Sequence, residues 1–129
     1  MDGSMTDLAK YRLEHAKEDL ERAKRELEVD DFKLSINRSY YAIFHALRAV
    51  NALDEYDSSK HSGVISHFNH DHVKNGDFPK ETSRMIKNAM EIRQKSDYDD
   101  FYIASRAKAE EQLDTAERVD VLESAYTRF

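Results

Sequence analysis

Ile36, Tyr40, Ile43, Leu47 and Val50 recur at intervals of four, three, four and three residues, the period of a helix with one face turned to a core. Little in the chain can break such a period, because its 129 residues include only three glycines and one proline. Charged residues make up 36% of the sequence, enough to clothe long solvated outer faces. A helical domain is the expected result.

The apolar spacing predicts five helices. The first runs over residues 7 to about 28 behind Thr6 as N-cap, with Leu8, Tyr11, His15, Leu20, Ala23 and Leu27 as its inward stripe. Positions 1–5, MDGSM, read as an expression scar or a disordered start, which leaves residues 6–129 as a single domain. Val29-Asp30-Asp31 is a short link with an N-capping aspartate, so the second helix, residues 32 to about 53, lies antiparallel to the first. Ser58 or Ser59 caps a third helix carrying Val64, Ile65, Phe68 and Val73, which stops at Gly76. Phe78-Pro79 leads into a fourth helix, with Met85, Ile86, Ala89 and Met90 inward, that fades near Ser96. SDYDDFYIA, residues 96–104, reads as an ordered loop. A last helix from Ser105 to about Tyr126 turns Leu113, Ala116, Val119 and Leu122 inward. With no internal repeat, low-complexity tract or linker, one bundle accounts for the chain.

Composition narrows the function. With 26 acidic against 20 basic residues the net charge is -6, which argues against coating nucleic acid through bulk electrostatics but leaves room for a local basic site. The absence of cysteine excludes disulfides, thiol catalysis and cysteine-ligated zinc. No apolar run approaches the roughly 20 residues that cross a bilayer, and no signal-peptide pattern is present, so a soluble, cytoplasmic protein without a membrane partner is expected. Neither a glycine-rich phosphate loop nor a Ser-His-Asp pattern occurs, and no cofactor is expected.

The second helix also carries polar residues on a strip beside its core stripe. Arg38 and His45, seven residues apart, lie about 20 degrees from each other around the helix. Tyr41 falls between them and Arg48 continues the strip. Arginine supplies a permanent planar charge suited to phosphate, histidine can donate, accept or exchange a proton near neutral pH, and tyrosine adds a stacking face and a hydroxyl. The same spacing also fits an arginine lying along the surface and a half-buried histidine bonded to a backbone carbonyl. Arg93 follows Ala89 and Met90 by one turn and sits at the edge of the fourth helix's inward face. Asp97, an acid late in that helix, opposes the macrodipole and is expected to leave the helix toward a cation such as Arg38 or His45, or to cap the loop. Asp99 and Asp100 fit a solvated acidic loop.

His61, His67, His70 and His72 invite a metal reading, but on a regular helix His72 turns well away from His67, so no metal site is expected. Lys60 and His61 at a helix start suit an anion. KEDLERAKRELE in the first helix is a solvated charged surface, with Glu18 and Arg22 at the favourable four-residue spacing.

Three segments, NRSYYAIFHALRA at 37–49, KHSGVISHFNHDHVKNG at 60–76 and RQKSDY at 93–98, occur in the order found in the HEPN family of small prokaryotic helical proteins, and the chain resembles its standalone branch. The resemblance implies an all-α fold, an antiparallel four- to five-helix up-and-down bundle that forms a homodimer. It also implies binding of a nucleotide or RNA, and partnership with a minimal nucleotidyltransferase in a toxin-antitoxin-like pair. Many members are metal-independent ribonucleases with an Arg-x4-6-His motif, whose histidine does acid-base chemistry and whose arginine stabilises phosphate charge. Here four residues separate Arg93 from Tyr98, and a phenol is a poor base at neutral pH, so the nuclease motif is not intact. Arg38 and His45 fit the spacing but lie on the second helix, which leaves a ribonuclease using that pair, or a purely structural dimerisation module, as alternatives. The resemblance marks Arg38, Tyr41, His45, Arg93, Asp97 and Tyr98 as nucleotide- or RNA-binding candidates and assigns no catalytic residue.

Overall fold

The computed structural model describes residues 2–129, with side chains described from residue 4 onward. Its elements are α1 (Asp2–Glu28), α2 (Phe32–Leu53), α3 (His61–Phe68), which continues into a π-helical turn (Asn69–Val73), α4 (Glu81–Tyr98) and α5 (Arg106–Thr127). The described residues are all-α, a helical bundle without strands. The shaft of the bundle is α2, which packs against each of the other four helices.

Sequence accounts for that central place. Asp31 caps α2 by accepting the Leu34 amide at 3.1 Å, and the preceding Asp30 turns the chain with a left-handed φ of 62°. The large side chains Tyr40, Ile43, Leu47 and Val50 are buried, as are the small Ala42, Ala46 and Ala49 between them. Small residues let neighbouring helices approach, and large ones fill the gaps that remain. Ser35 Oγ donates to the Ala23 carbonyl at 2.9 Å, a buried tie between α1 and α2.

The α1 stripe differs from the expected one. Ala9, Leu13, Ala16, Leu20 and Ala23 are buried, whereas Tyr11 is 67% exposed and His15 is also exposed. Alanine at every seventh position leaves space for close contact with α2, and this outweighs the apolar surface of Tyr11. The helix begins at Asp2, so Thr6 lies inside it and is not its cap; Met1 lies outside the described residues.

Farther along, Ser58 Oγ accepts the Lys60 amide at 3.1 Å, serving the turn while Lys60 itself occupies the N-cap of α3. The third helix does not run regularly to Gly76. It widens after Phe68, and the Lys74 amide donates to the Asn69 carbonyl, five residues back, at 3.0 Å. Gly76 then takes a left-handed φ of 87°, as its position suggests. The fourth helix outlasts its expected end at Ser96 by two residues, because Ile92, Arg93 and Ser96 are all buried along it. Ser105 caps α5 by accepting the Lys108 amide at 3.1 Å, and Gln112 Nε2 donates to the Ala89 carbonyl at 2.7 Å to join α5 to α4.

Candidate functional site

Two guanidinium groups from different helices meet the ring of Tyr41. That of Arg38, one turn earlier on α2, lies 5.3 Å from the ring centroid, and that of Arg93 on α4 lies 5.7 Å from it. Arg93 also sits 4.8 Å from the Tyr40 ring and 5.7 Å from the Tyr98 ring, so three tyrosines surround one cation. Each such contact contributes about 0.5–2 kcal/mol, depending on how dry it is. Arg93 is only 6% exposed, and its Nε lacks a hydrogen-bond partner. A buried N–H without an acceptor is costly unless something else supplies one.

Asp97 keeps its place in the last turn of α4. Its Oδ2 lies 3.5 Å from Arg93 Nη1 and accepts from Asn37 Nδ2 at 3.0 Å. The expected partners were Arg38 or His45. Arg93, one turn earlier on the same helix, takes that role and offsets the unfavourable macrodipole without moving the chain. Arg38 instead donates from Nε and Nη2 to Asn37 Oδ1, and its Nη1 lies 3.5 Å from Asp19 Oδ1. Asn37 thus links the two arginines' surroundings.

His61, the first residue of α3, completes one side of the cluster. Its ring stacks on Phe44 at 4.2 Å and its Nδ1 is 2.7 Å from the Tyr40 hydroxyl. Burial pushes the Tyr40 phenol up to about 12, against the pull of Arg93, so the hydroxyl keeps its proton. Burial and then Arg93 lower His61 from its ordinary value. The Tyr40 O–H therefore donates to Nδ1, and the proton of the neutral imidazole sits on Nε2. Sequence spacing associated His61 with an anion site at the helix start and with the discounted histidine cluster; its pairing with Tyr40, twenty-one residues away, depends on how α3 folds back.

His45 faces the other way, toward α1. Its ring lies 4.5 Å from that of His15, and its Nε2 is 3.5 Å from Asp19 Oδ2. Burial, followed by the charges of His15, Arg48, Arg38 and Arg12, pushes His45 down to about 4, so it is neutral at pH 7. Burial also raises Asp19, although Arg38 and His15 pull it the other way. The six candidate residues accordingly form two connected groups. Arg93, Asp97 and Tyr98 join Tyr40 and His61 on the α4 side, while Arg38 and His45 join Asp19 on the α1 side. Tyr41 belongs to both, with His45 6.0 Å and His61 5.9 Å from its ring.

Two groups of side chains among the described residues have the composition of a metal site: His15, Asp19 and His45, and Asp54, His67 and His72. Arg38 lies beside the first. In the second, the π-helical turn changes the register, and His67 and His72, expected on different faces, both point to Asp54.

The HEPN domain family profile matches residues 9–122, from α1 to the last turns of α5. This chain belongs to the HEPN domain family. A UPF0332 protein of Thermotoga maritima is 32% identical over 91 residues, 70% of this chain and 69% of that protein. Two proteins of Methanocaldococcus jannaschii, each bearing the name "Putative toxin", are 28% identical over 98 residues (76% of this chain, 67% of that protein) and 34% identical over 86 residues (67% and 64%). All six candidate residues fall inside the matched HEPN region. Tyr98 stands five residues after Arg93, 75% exposed, so the motif's histidine position carries a solvent-facing phenol. The imidazoles beside the Tyr41 ring, His45 and His61, come from α2 and α3.

Proposed function

We propose that this HEPN chain binds a nucleotide or a short RNA segment on the surface around Tyr41, and that it does so as a homodimer paired with a minimal nucleotidyltransferase in a toxin-antitoxin-like system. The observation that carries the binding reading is the convergence of two guanidinium groups on the Tyr41 ring, Arg93 held among Tyr40, Tyr41 and Tyr98 and Arg38 at the more exposed side. The part-exposed Arg38 guanidinium offers a phosphate its charge, and the exposed Tyr98 ring offers a base a stacking face. The "Putative toxin" names of two relatives support the paired system. For the dimer, the exposed Phe101 and Ile103 beside Tyr98 give an apolar loop that a second copy can cover.

Titration of the chain with mononucleotides and short single-stranded RNAs tests the reading. Saturable binding that weakens with added salt and falls about tenfold or more in Arg38→Ala supports it. No binding to either class of ligand overturns it.

One observation favours a second reading, metal-independent RNA cleavage with His45 as base and Arg38 on the phosphate: both side chains flank the Tyr41 ring, although burial, by pushing His45 down to about 4, makes it a weak base. Incubation of RNA with the chain in chelator decides it, because cleavage must occur and must be lost in His45→Ala.

A further inference from the structure

The π-helical turn gives the HEPN bundle a feature that the nucleotide-binding proposal does not use. Asp54, the residue that ends α2, places Oδ2 at 3.0 Å from His67 Nε2 and 2.5 Å from His72 Nε2. Asp71 Oδ2 lies 3.5 Å from the same His67 nitrogen. On the far side of the second ring, His72 Nδ1 is 3.2 Å from Asp77 Oδ2. His72 is buried against Phe68, Phe78 and Tyr126, and His67 is stacked on Tyr56 at 4.0 Å, so both rings are held in place.

We propose that Asp54, His67 and His72 bind a divalent first-row transition cation of the zinc type, with a water in the fourth position and Asp77 orienting His72 from behind.

Hydrogen-bond inventory is the first argument. A neutral imidazole has one N–H, yet His72 faces a carboxylate at each nitrogen. A cation at the Nε2 side resolves this. The Nδ1–H then donates to Asp77, the Nε2 lone pair goes to the ion, and the result is the carboxylate–histidine–metal arrangement found at metal centres generally. Charge is the second argument. Asp54, Asp71 and Asp77 make ion pairs only with histidines among the described residues, so no lysine or arginine neutralises them.

Geometry is the third argument. In a tetrahedral site with bonds of about 2.0–2.2 Å, neighbouring ligand atoms lie about 3.3–3.5 Å apart. The atoms of Asp54, His67 and His72 all lie within 4.8 Å of one another, and the two short Asp54 contacts need to open by less than about 1 Å. Asp54 sits just past the helix end with its side chain 29% exposed. Two imidazoles and carboxylates select zinc, cobalt or nickel over calcium or magnesium. An ion there fastens the end of α2 to α3 and the π-helical turn. Along α2 this is sixteen residues from Arg38, about 24 Å at the helical rise, so the proposal does not depend on nucleotide binding.

The test uses the full chain freed of metal with a chelator and titrated with Zn2+ by calorimetry, with Co2+ absorption as a report on coordination. One ion per chain, the intense visible bands of four-coordinate Co2+ and a raised melting temperature are expected. Because His72 is buried and its replacement can unfold the chain, the accessible ligands carry the test. Asp54→Asn and His67→Gln must each weaken Zn2+ affinity tenfold or more while keeping the helical circular dichroism. His15→Gln, exposed on α1 in the separate trio with Asp19 and His45, must not. Absence of Zn2+ binding by the parent chain, or unchanged affinity in both Asp54→Asn and His67→Gln, overturns the proposal.

Discussion

The guanidinium of Arg93 on α4 lies 4.8 Å from the ring of Tyr40 on α2, and that ring's hydroxyl donates to His61 at the start of α3. One contact therefore couples three helices around the proposed binding surface. Removal of the Tyr40 hydroxyl separates its two roles. Tyr40→Phe keeps the ring under Arg93 but leaves His61 Nδ1 without its donor, and a loss of about 1 kcal/mol is expected in denaturant unfolding. An unchanged midpoint would mean that the hydroxyl–imidazole bond adds no net stability.

Glu123 is fully buried, neither carboxylate oxygen has a hydrogen-bond partner, and burial, helped by Asp120, raises its pKa well above the usual carboxylate range. The folded state therefore holds a proton that the unfolded chain releases above its ordinary value of 4.5. Stability is lost as pH rises from there through the folded pKa. Glu123→Gln removes this dependence. Its melting temperature at pH 8 should exceed that of the parent chain, and the gap should close toward pH 4.

His45 works in the opposite direction. Its pKa falls from 6.5 to about 4 on folding, so above pH 6.5 it is neutral in both states and contributes no pH dependence. Below that, the unfolded chain binds a proton that the folded chain refuses, and stability declines from about pH 6.5 to pH 4. An imidazole NMR titration should give a midpoint near the lower value, and His45→Gln should flatten the decline.

Gly76 takes a φ of 87° with nothing within 4 Å of the position a side chain would occupy. Gly76→Ala should therefore cost about 1 kcal/mol through backbone strain alone, without a clash. Thermal unfolding checks it, and a larger loss would mean that the turn after the π-helical segment has other work.

Parts of this structure were legible in advance, and the physical reason differs from residue to residue. The α2 stripe follows from its spacing because every large residue on it is buried, and Ser105 marked the start of α5 because it caps locally. Arg38 and Tyr41 were placed together by helical geometry alone. In α1 the reading favoured Tyr11 over Ala9 and Leu13, since apolar size was easier to see than the room that alanines make for a neighbour. Nothing in HFNHDH signals hydrogen bonds to the fifth residue, so the meeting of His67 and His72 on Asp54 was hidden by the assumption of a regular helix. Asp97 was given the wrong cation because the choice among Arg38, His45 and Arg93 is made by packing between α2 and α4.

Tyr98 is the part of the binding surface most separable from stability, since its ring is 75% exposed while still within 5.7 Å of Arg93. Tyr98→Ala should cost about 0.5–1 kcal/mol of folding stability, the exposed end of the range for such a contact. If a base stacks there, RNA affinity should fall by about 1–3 kcal/mol, roughly five- to 150-fold. The most direct measurement is therefore a calorimetric titration of a short single-stranded RNA into the parent chain and into Tyr98→Ala, with unfolding of both followed in parallel. Binding by the parent that drops at least fivefold in a fully folded Tyr98→Ala is the expected result, and equal affinity in the two chains, or none in the parent, would contradict the account.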